Sequence, residues 1–96
     1  MDSELKAYVA RRTAVLERIR RMLVVSLNLR RKPELIDPDT SLFGTGLGID
    51  SLDAVELIVA LEIEFGIKVA DPIDRKRYLR SVNALVDLVL AHQERR

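Results

Sequence analysis

The chain has 96 residues, of which 48% are apolar and 32% are charged, and this composition is typical of one small globular domain rather than a disordered segment. It contains no cysteine, which excludes disulfides and thiolate metal sites, and only 4% aromatic residues, which provide little base stacking for nucleic acids. The formal net charge is only +1 and no apolar run approaches the roughly 18 residues of a membrane span, so we expect a cytoplasmic protein without stable membrane insertion.

The first predicted element is a long amphipathic helix from Ser3 to about Leu29. Residues 1–32 carry nine basic and three acidic side chains, which we interpret as a solvated basic face; a nucleic-acid or anionic-membrane surface is the alternative. The stripe expected to face the core is interrupted once, by Arg12, and consists of Leu5, Val9, Leu16, Ile19, Leu23 and Leu27.

A long connection follows over residues 30–49, punctuated by two prolines and three glycines. We expect a helical turn near residues 33–37, because twenty residues without structure are unusual inside a compact domain. The glycines Gly44, Gly46 and Gly48 have neither the spacing nor the Gly-Lys-Ser/Thr ending of a nucleotide-binding loop. The side chains expected to anchor the connection are Leu35, Ile36, Leu42, Phe43, Leu47 and Ile49.

A central helix is predicted over residues 50–65, with Asp50 as its N-cap, Asp53 in its first turn and Gly66 at its C-terminal end. The start of a helix favours an anion, so a phosphodiester on the Ser51 hydroxyl would be stabilised there. The alternative is that Ser51 is an ordinary first-turn residue with no chemistry, because serine and aspartate are common at helix starts.

This central helix is apolar on two opposite sides. The side expected to face the core consists of Ala54, Leu57, Ile58, Leu61 and Phe65. The opposite side predicts an exposed apolar patch flanked by carboxylates, which suits basic partner proteins; burial of both sides is the alternative. The residues of this docking surface are Leu52, Val55, Glu56, Val59, Glu62 and Ile63.

The C-terminal part predicts a short extended segment at residues 67–70, a short helix from Pro72 to about Leu79, and a last helix capped by Ser81 and ending near Ala91. We therefore expect an all-α single domain over residues 1–96, a small four-helix bundle with three longer helices, one short helix and a long first loop. Its core spans about residues 4–92, and residues 93–96 are expected to be a disordered tail.

The segment Asp50-Ser51-Leu52-Asp53 and the helix that follows it resemble the Asp-Ser-Leu motif and second helix of acyl carrier proteins. More loosely, the resemblance runs from about Leu5 to His92. In that family, the motif serine receives 4′-phosphopantetheine from coenzyme A. The resemblance therefore implies attachment at Ser51, with Asp50 and Leu52 completing the motif. It also implies that the docking surface, to which the resemblance adds Asp53, meets partner enzymes.

The resemblance further implies a stand-alone carrier rather than an enzyme, which holds acyl intermediates as thioesters for fatty-acid or polyketide biosynthesis. Its implied partners are a phosphopantetheinyl transferase and the ketosynthase, acyltransferase or ligase, reductase and dehydratase of a pathway, and we expect a monomer that binds no nucleic acid. A hydrolase is not supported, since the one histidine, His92, lies near the chain end and the motif Gly-x-Ser-x-Gly is absent. Asp50, Asp53 and Glu56 are not expected to form a dedicated metal site.

Three features depart from the usual acidic surface of the family: the basic first helix, Ile63 between two glutamates, and the basic run Arg75–Arg80. The Gly-rich lead-in resembles carriers of specialised polyketide or aryl-polyene synthases, so we favour a dedicated pathway over housekeeping fatty-acid synthesis. The alternatives are a peptidyl or aryl carrier, a carrier-like module that is never modified, and a basic helical protein that binds nucleic acid or anionic membranes.

Overall fold

The computed structural model describes residues 2–94 and confirms the all-α prediction. Within that range it contains four α-helices, α1 (Ser3–Ser26), α2 (Ser51–Phe65), α3 (Pro72–Tyr78) and α4 (Val82–Glu94), and a 3₁₀ turn at Pro33–Leu35. The turn lies where the prolines of the long connection predicted one. None of these helices combines the length and apolar content needed to cross a lipid bilayer.

Helix α1 begins as predicted but ends three residues early. The Asp2 side chain accepts a hydrogen bond of 2.9 Å from the Glu4 N–H and caps the helix. At the other end, Asn28 adopts a left-handed conformation with φ of 53°, and the Leu29 N–H donates to the Val24 carbonyl at 3.0 Å. This closure turns the chain away from the helix axis and stops α1 at Ser26.

The core-facing stripe predicted for α1 is wrong in its first turns. Leu5 and Val9 are 48% and 52% exposed, whereas Val15 and Met22, outside the predicted stripe, are buried. Helix α1 has 24 residues, while its neighbours α2 and α4 have 15 and 13. A helix rises 1.5 Å per residue, so the longest helix extends beyond its neighbours and its first turns have no cover.

Arg12, the interruption in the stripe, joins α1 to α4. Its guanidinium donates to the Asp87 carboxylate at 2.7 Å and to the side-chain oxygen of Asn83 at 3.3 Å. The hydrogen bond with Asp87 raises the pKa of Arg12. A charged residue on the inner side of α1 is therefore a link between helices rather than a defect in packing.

The core is formed by α1, α2 and α4, by the long connection, and by Ile67, Val69 and Leu79, which lie on either side of α3. From the connection, Ile36, Leu42 and Ile49 are buried and Leu47 packs partly against them. Leu35 and Phe43, which were also predicted to anchor the connection, are 68% and 38% exposed. The 3₁₀ turn and the glycine turn place neighbouring side chains on different faces, so only some apolar residues of each can point inward.

The C-terminal elements follow the prediction with one extension. The Ser81 hydroxyl accepts a hydrogen bond of 3.1 Å from the Ala84 N–H and caps α4. Helix α4 then continues to Glu94, so Gln93 and Glu94, assigned to the predicted tail, are helical. Residues 95 and 96 lie outside the described range.

Candidate functional site

The long connection is fixed to the beginning of α4. The Leu42 N–H donates to the Arg80 carbonyl at 2.9 Å, and the Asn83 N–H donates to the Pro38 carbonyl at 2.8 Å. Between these two bonds, Ser41 pairs with Ser81 as an isolated antiparallel bridge. The connection is therefore a held segment with its own backbone partners rather than a free loop.

The same connection then folds back on itself and reaches α2. The Leu47 N–H donates to the Ser41 carbonyl at 2.8 Å, and the Ile49 N–H donates to the Leu42 carbonyl at 3.0 Å. This fold passes so close to Ser41 that a Cβ on Gly46 would lie 1.9 Å from the Ser41 carbonyl oxygen. Only glycine fits there, and buried Ile49 then fixes the entry to α2.

Helix α2 begins with two aspartates that cap each other's backbone. The Asp50 carboxylate accepts the Asp53 N–H at 2.8 Å, and the Asp53 carboxylate accepts the Asp50 N–H at 3.1 Å. The prediction of Asp50 as N-cap is confirmed. The second half of this capping box was missed, although the spacing of two acidic residues three positions apart indicates it.

Ser51 is the first residue of α2 and is exposed to solvent. Because Asp50 supplies the cap, the Ser51 hydroxyl is not needed to stabilise the helix start. The N–H groups of Ser51 and Leu52 have no hydrogen-bond partner among the described residues. An accessible hydroxyl beside two open N–H groups and the positive end of a helix dipole suits a phosphate ester.

The side of α2 that faces away from the core is exposed, as predicted. Leu52, Val55, Val59 and Ile63 are 67%, 57%, 49% and 79% exposed, and Glu56 and Glu62 are exposed beside them. On the opposite side, Leu57 and Leu61 are fully buried. The alternative that α2 is buried on both sides is therefore wrong. The docking surface is accessible, although Asp53, which the resemblance adds to it, is half-buried.

Comparison of the sequence with known proteins gives matches that extend over most of the chain. The family model described as the phosphopantetheine attachment site matches residues 17–89. The chain is 36% identical over 75 residues to the acyl carrier protein of Thermosynechococcus vestitus. The aligned region covers 78% of this chain and 86% of that protein. The chain belongs to the acyl carrier protein family. This carrier is also 35% identical over 75 residues to the mitochondrial acyl carrier protein 2 of Arabidopsis thaliana, covering 77% of this chain and 57% of that protein.

Membership of the family establishes that this carrier is not a catalyst and that its prosthetic group is 4′-phosphopantetheine. Members of the family interact with phosphopantetheinyl transferases and with biosynthetic enzymes. The open N–H groups and exposed hydroxyl at the start of α2 fit the phosphodiester of that group. One relative is mitochondrial by its name, so the cytoplasmic location of this carrier stays a prediction.

The one histidine of the chain, His92, is not placed to act as a general base for Ser51. His92 lies in the last turn of α4 and shares a shallow depression with Phe65, at the far end of α2. Phe65 lies fourteen positions after Ser51 along the helix, which is about 20 Å at 1.5 Å per residue. Among residues 2–94, no three His, Cys, Asp or Glu side chains are placed to share a metal ion.

Proposed function

We propose that Ser51 is the residue to which 4′-phosphopantetheine is attached. The observation that supports this most directly is the position of the hydroxyl. It is exposed on the first residue of α2, it is not used for capping, and two open backbone N–H groups lie beside it. The bound group supplies a terminal thiol on a flexible arm, on which acyl intermediates are held as thioesters.

In the attachment reaction the Ser51 oxygen forms a bond to the β-phosphorus of coenzyme A, the bond from that phosphorus to the bridging oxygen breaks, and adenosine 3′,5′-bisphosphate leaves. The hydroxyl proton passes to a base on the transferase. The carrier's own contribution is positional. The capping box and the loop fold hold the hydroxyl outward, and the helix dipole stabilises the diester that results.

The test is to incubate the chain with coenzyme A and a broad-specificity phosphopantetheinyl transferase and to measure its intact mass. We expect a gain of one phosphopantetheinyl group that is lost in Ser51→Ala. Ser3 provides a matched control, because it is also exposed, also the first residue of a helix and also preceded by an aspartate N-cap. Ser3→Ala should gain the full mass.

Other results of the mass measurement, or of binding assays, would support one of the alternative functions instead. If the folded wild-type chain gains no mass, it is an unmodified carrier-like module and the proposal fails. If the mass gain survives Ser51→Ala, another residue carries the group. Tight and salt-sensitive binding of the unmodified chain to nucleic acid or anionic vesicles would instead support the basic-surface alternative.

We infer that the exposed side of α2 docks the enzymes that act on the bound acyl group. Leu52, Val55 and Val59 give an apolar strip that begins next to Ser51, and Glu56 and Glu62 border it. A partner with apolar side chains and nearby arginine or lysine would complement this surface. The partners proposed are the transferase, a ketosynthase, an acyltransferase or ligase, a reductase and a dehydratase.

We also infer a dedicated biosynthetic pathway, such as polyketide or aryl-polyene synthesis, rather than housekeeping fatty-acid synthesis. Helix α3 carries Arg75, Lys76 and Arg77, and Ile63 is 79% exposed where an acidic surface would otherwise continue. A ketosynthase that recognises continuous acidic charge should therefore transfer acyl groups to this carrier slowly. Ile63→Glu combined with acidic replacements at Arg75 and Arg77 should raise that rate, and equal rates before and after the change would contradict the inference.

A further inference from the structure

A surface depression of about 630 Å³ lies between the long connection, the end of α3 and the start of α4. We call it the α3–α4 depression. Its lining includes Ser41 and Phe43 of the connection, Arg77 of α3, Arg80 and Ser81 of the following turn, and Asn83 of α4.

Hydrogen bonds between the connection and α4 hold the walls of the depression in place. The Val82 N–H donates to the Thr40 carbonyl at 3.2 Å, and the Asn83 side-chain amide donates to the Asp39 carboxylate at 2.7 Å. These bonds add to those already described between the connection and the beginning of α4. A surface that is formed in advance loses little conformational entropy when a partner binds to it.

The acidic side chains of the depression are already engaged, whereas its arginines are free. Asp39 accepts the Asn83 amide, and Asp87 accepts the Arg12 guanidinium at 2.7 Å. Arg77 and Arg80 are exposed and form no ion pair with a residue that the structure describes. The depression therefore presents two positive charges that are available to a partner.

Phe43 adds an aromatic side chain beside these charges. The sequence predicted that Phe43 would anchor the connection in the core, but it is 38% exposed and lines the depression. Aromatic residues and arginine are the residue types enriched at protein–protein contact sites. Phe43, Arg77 and Arg80 together therefore have the composition of a contact surface.

The charges around the depression favour a protein partner over a polyanion. Residues 33–74, which include the connection that forms one wall, carry ten acidic side chains and one basic side chain. A nucleic acid or an anionic membrane presents negative charge over its whole contact area, so these acids would repel it. A protein can instead place carboxylates opposite the two arginines and other side chains opposite the acids.

We propose that the α3–α4 depression binds an acidic segment of a partner protein. Carboxylates of this segment pair with Arg77 and Arg80, and an apolar side chain of the segment contacts Phe43. That the partner is an enzyme of the carrier's pathway rests on the proposed function. The recognition itself does not require attachment at Ser51.

The depression is joined to the start of α2 through backbone hydrogen bonds. The Arg80 carbonyl accepts the Leu42 N–H, the Leu42 carbonyl accepts the Ile49 N–H, and Ser51 follows two residues later. A partner that contacts both the depression and the docking surface of α2 therefore needs acids for the first and bases for the second. A uniformly basic partner meets Arg77 and Arg80 with like charge, so this arrangement restricts which enzymes the carrier serves.

The experiment is a titration of the isotope-labelled full chain with a blocked peptide of four glutamates around one leucine, followed by two-dimensional NMR of the amide groups. We expect saturable shifts in the signals of residues 41–43 and 77–84. Ser51→Ala should show the same shifts, because the depression does not include the serine. Failure of phosphopantetheine attachment is thereby distinguished from failure of this proposal.

Removal of the two free charges gives the decisive comparison. Arg77→Gln combined with Arg80→Gln should weaken peptide binding about tenfold. Arg30→Gln combined with Arg31→Gln is the matched control, because it removes the same charge from exposed positions outside the depression, and it should change the affinity by less than about twofold. Phe43→Ala should weaken binding about threefold, because the leucine loses its apolar contact. Circular dichroism of all three variants should match wild type, since the replaced side chains are exposed.

Unchanged affinity in the Arg77 and Arg80 double variant, or in Phe43→Ala, overturns the proposal. Shifts centred on residues 30–32 overturn it too, because the peptide then follows charge density rather than the depression. Equal shifts from inorganic phosphate at the same concentration would make the depression a small-anion site. Binding to DNA or to phosphatidylglycerol vesicles that the double variant loses, without binding of the peptide, would assign the arginines to a polyanion instead.

Discussion

Replacing Gly46 by alanine should damage this protein far more than the size of one methyl group suggests. The added Cβ would lie 1.9 Å from the Ser41 carbonyl oxygen and 2.7 Å and 2.9 Å from the Ser41 carbon and nitrogen. Ordinary contact begins near 3.4 Å, so backbone must move by about 1.5 Å. The obstructing oxygen is also the acceptor for the Leu47 N–H at 2.8 Å, so the same movement breaks that hydrogen bond.

The magnitude follows from these two effects. Overpacking against backbone costs about 1–3 kcal/mol, and a lost hydrogen bond adds about 1 kcal/mol. Gly46→Ala should therefore lower the free energy of unfolding by about 2–4 kcal/mol, which lowers the Tm by roughly 4–8 °C per kcal/mol in a chain of this size. Urea denaturation and thermal unfolding followed by circular dichroism measure both quantities.

Gly44→Ala is the matched control in the same loop. Gly44 has φ of +64°, but a Cβ there has no heavy atom within 4 Å. Only the cost of a left-handed alanine remains, about 1 kcal/mol. Gly46→Ala should also slow phosphopantetheine transfer at a temperature where it is folded, because the displaced segment leads into Ser51. Equal stability of the two variants would refute the argument from close approach.

Two further predictions concern the framework around the site. Asp50→Ala should lower the unfolding free energy by about 1 kcal/mol, whereas Asp50→Asn, which can still accept the Asp53 N–H, should lose only part of that. Chemical denaturation measures both variants, and equal stability would argue against the cap. Arg12→Ala should lower the unfolding free energy by about 1–2 kcal/mol, because it leaves Asp87 and Asn83 without their donor. Arg11→Ala removes only an exposed ion pair of 3.6 Å, so it should change the unfolding free energy by less than about 0.5 kcal/mol. Thermal unfolding of both arginine variants compares them, and similar losses would contradict the assigned role of Arg12.

The elements near the site were predictable because their signals are local. The end of α2 is set by Gly66, which is left-handed with φ of +69°, and its start by Asp50 immediately before the helix. The alternation of buried Leu57 and exposed Val59 follows from helical period alone. None of these features depends on what the rest of the chain contacts.

Features that depend on distant residues were not predictable in the same way. The exposure of Leu5 and Val9 follows from the lengths of α2 and α4, and no pattern within α1 contains that information. The close approach of Gly46 to Ser41 depends on a backbone fold that ordinary turn signals do not specify. The α3–α4 depression likewise brings together Asp39 and Asn83, which are 44 positions apart in the chain.

The backbone hydrogen bond between Leu42 and Arg80 connects Ser51 to a distant part of the chain. Leu42 accepts from Ile49, two residues before Ser51, and donates to Arg80, at the entry to α4. A shifted turn at residues 79–81 would therefore be transmitted towards Ser51 through two consecutive backbone hydrogen bonds, although the turn lies 28 to 30 positions away in the chain. The orientation of the Ser51 hydroxyl is thus governed jointly by the turn before the last helix and by the loop that precedes α2.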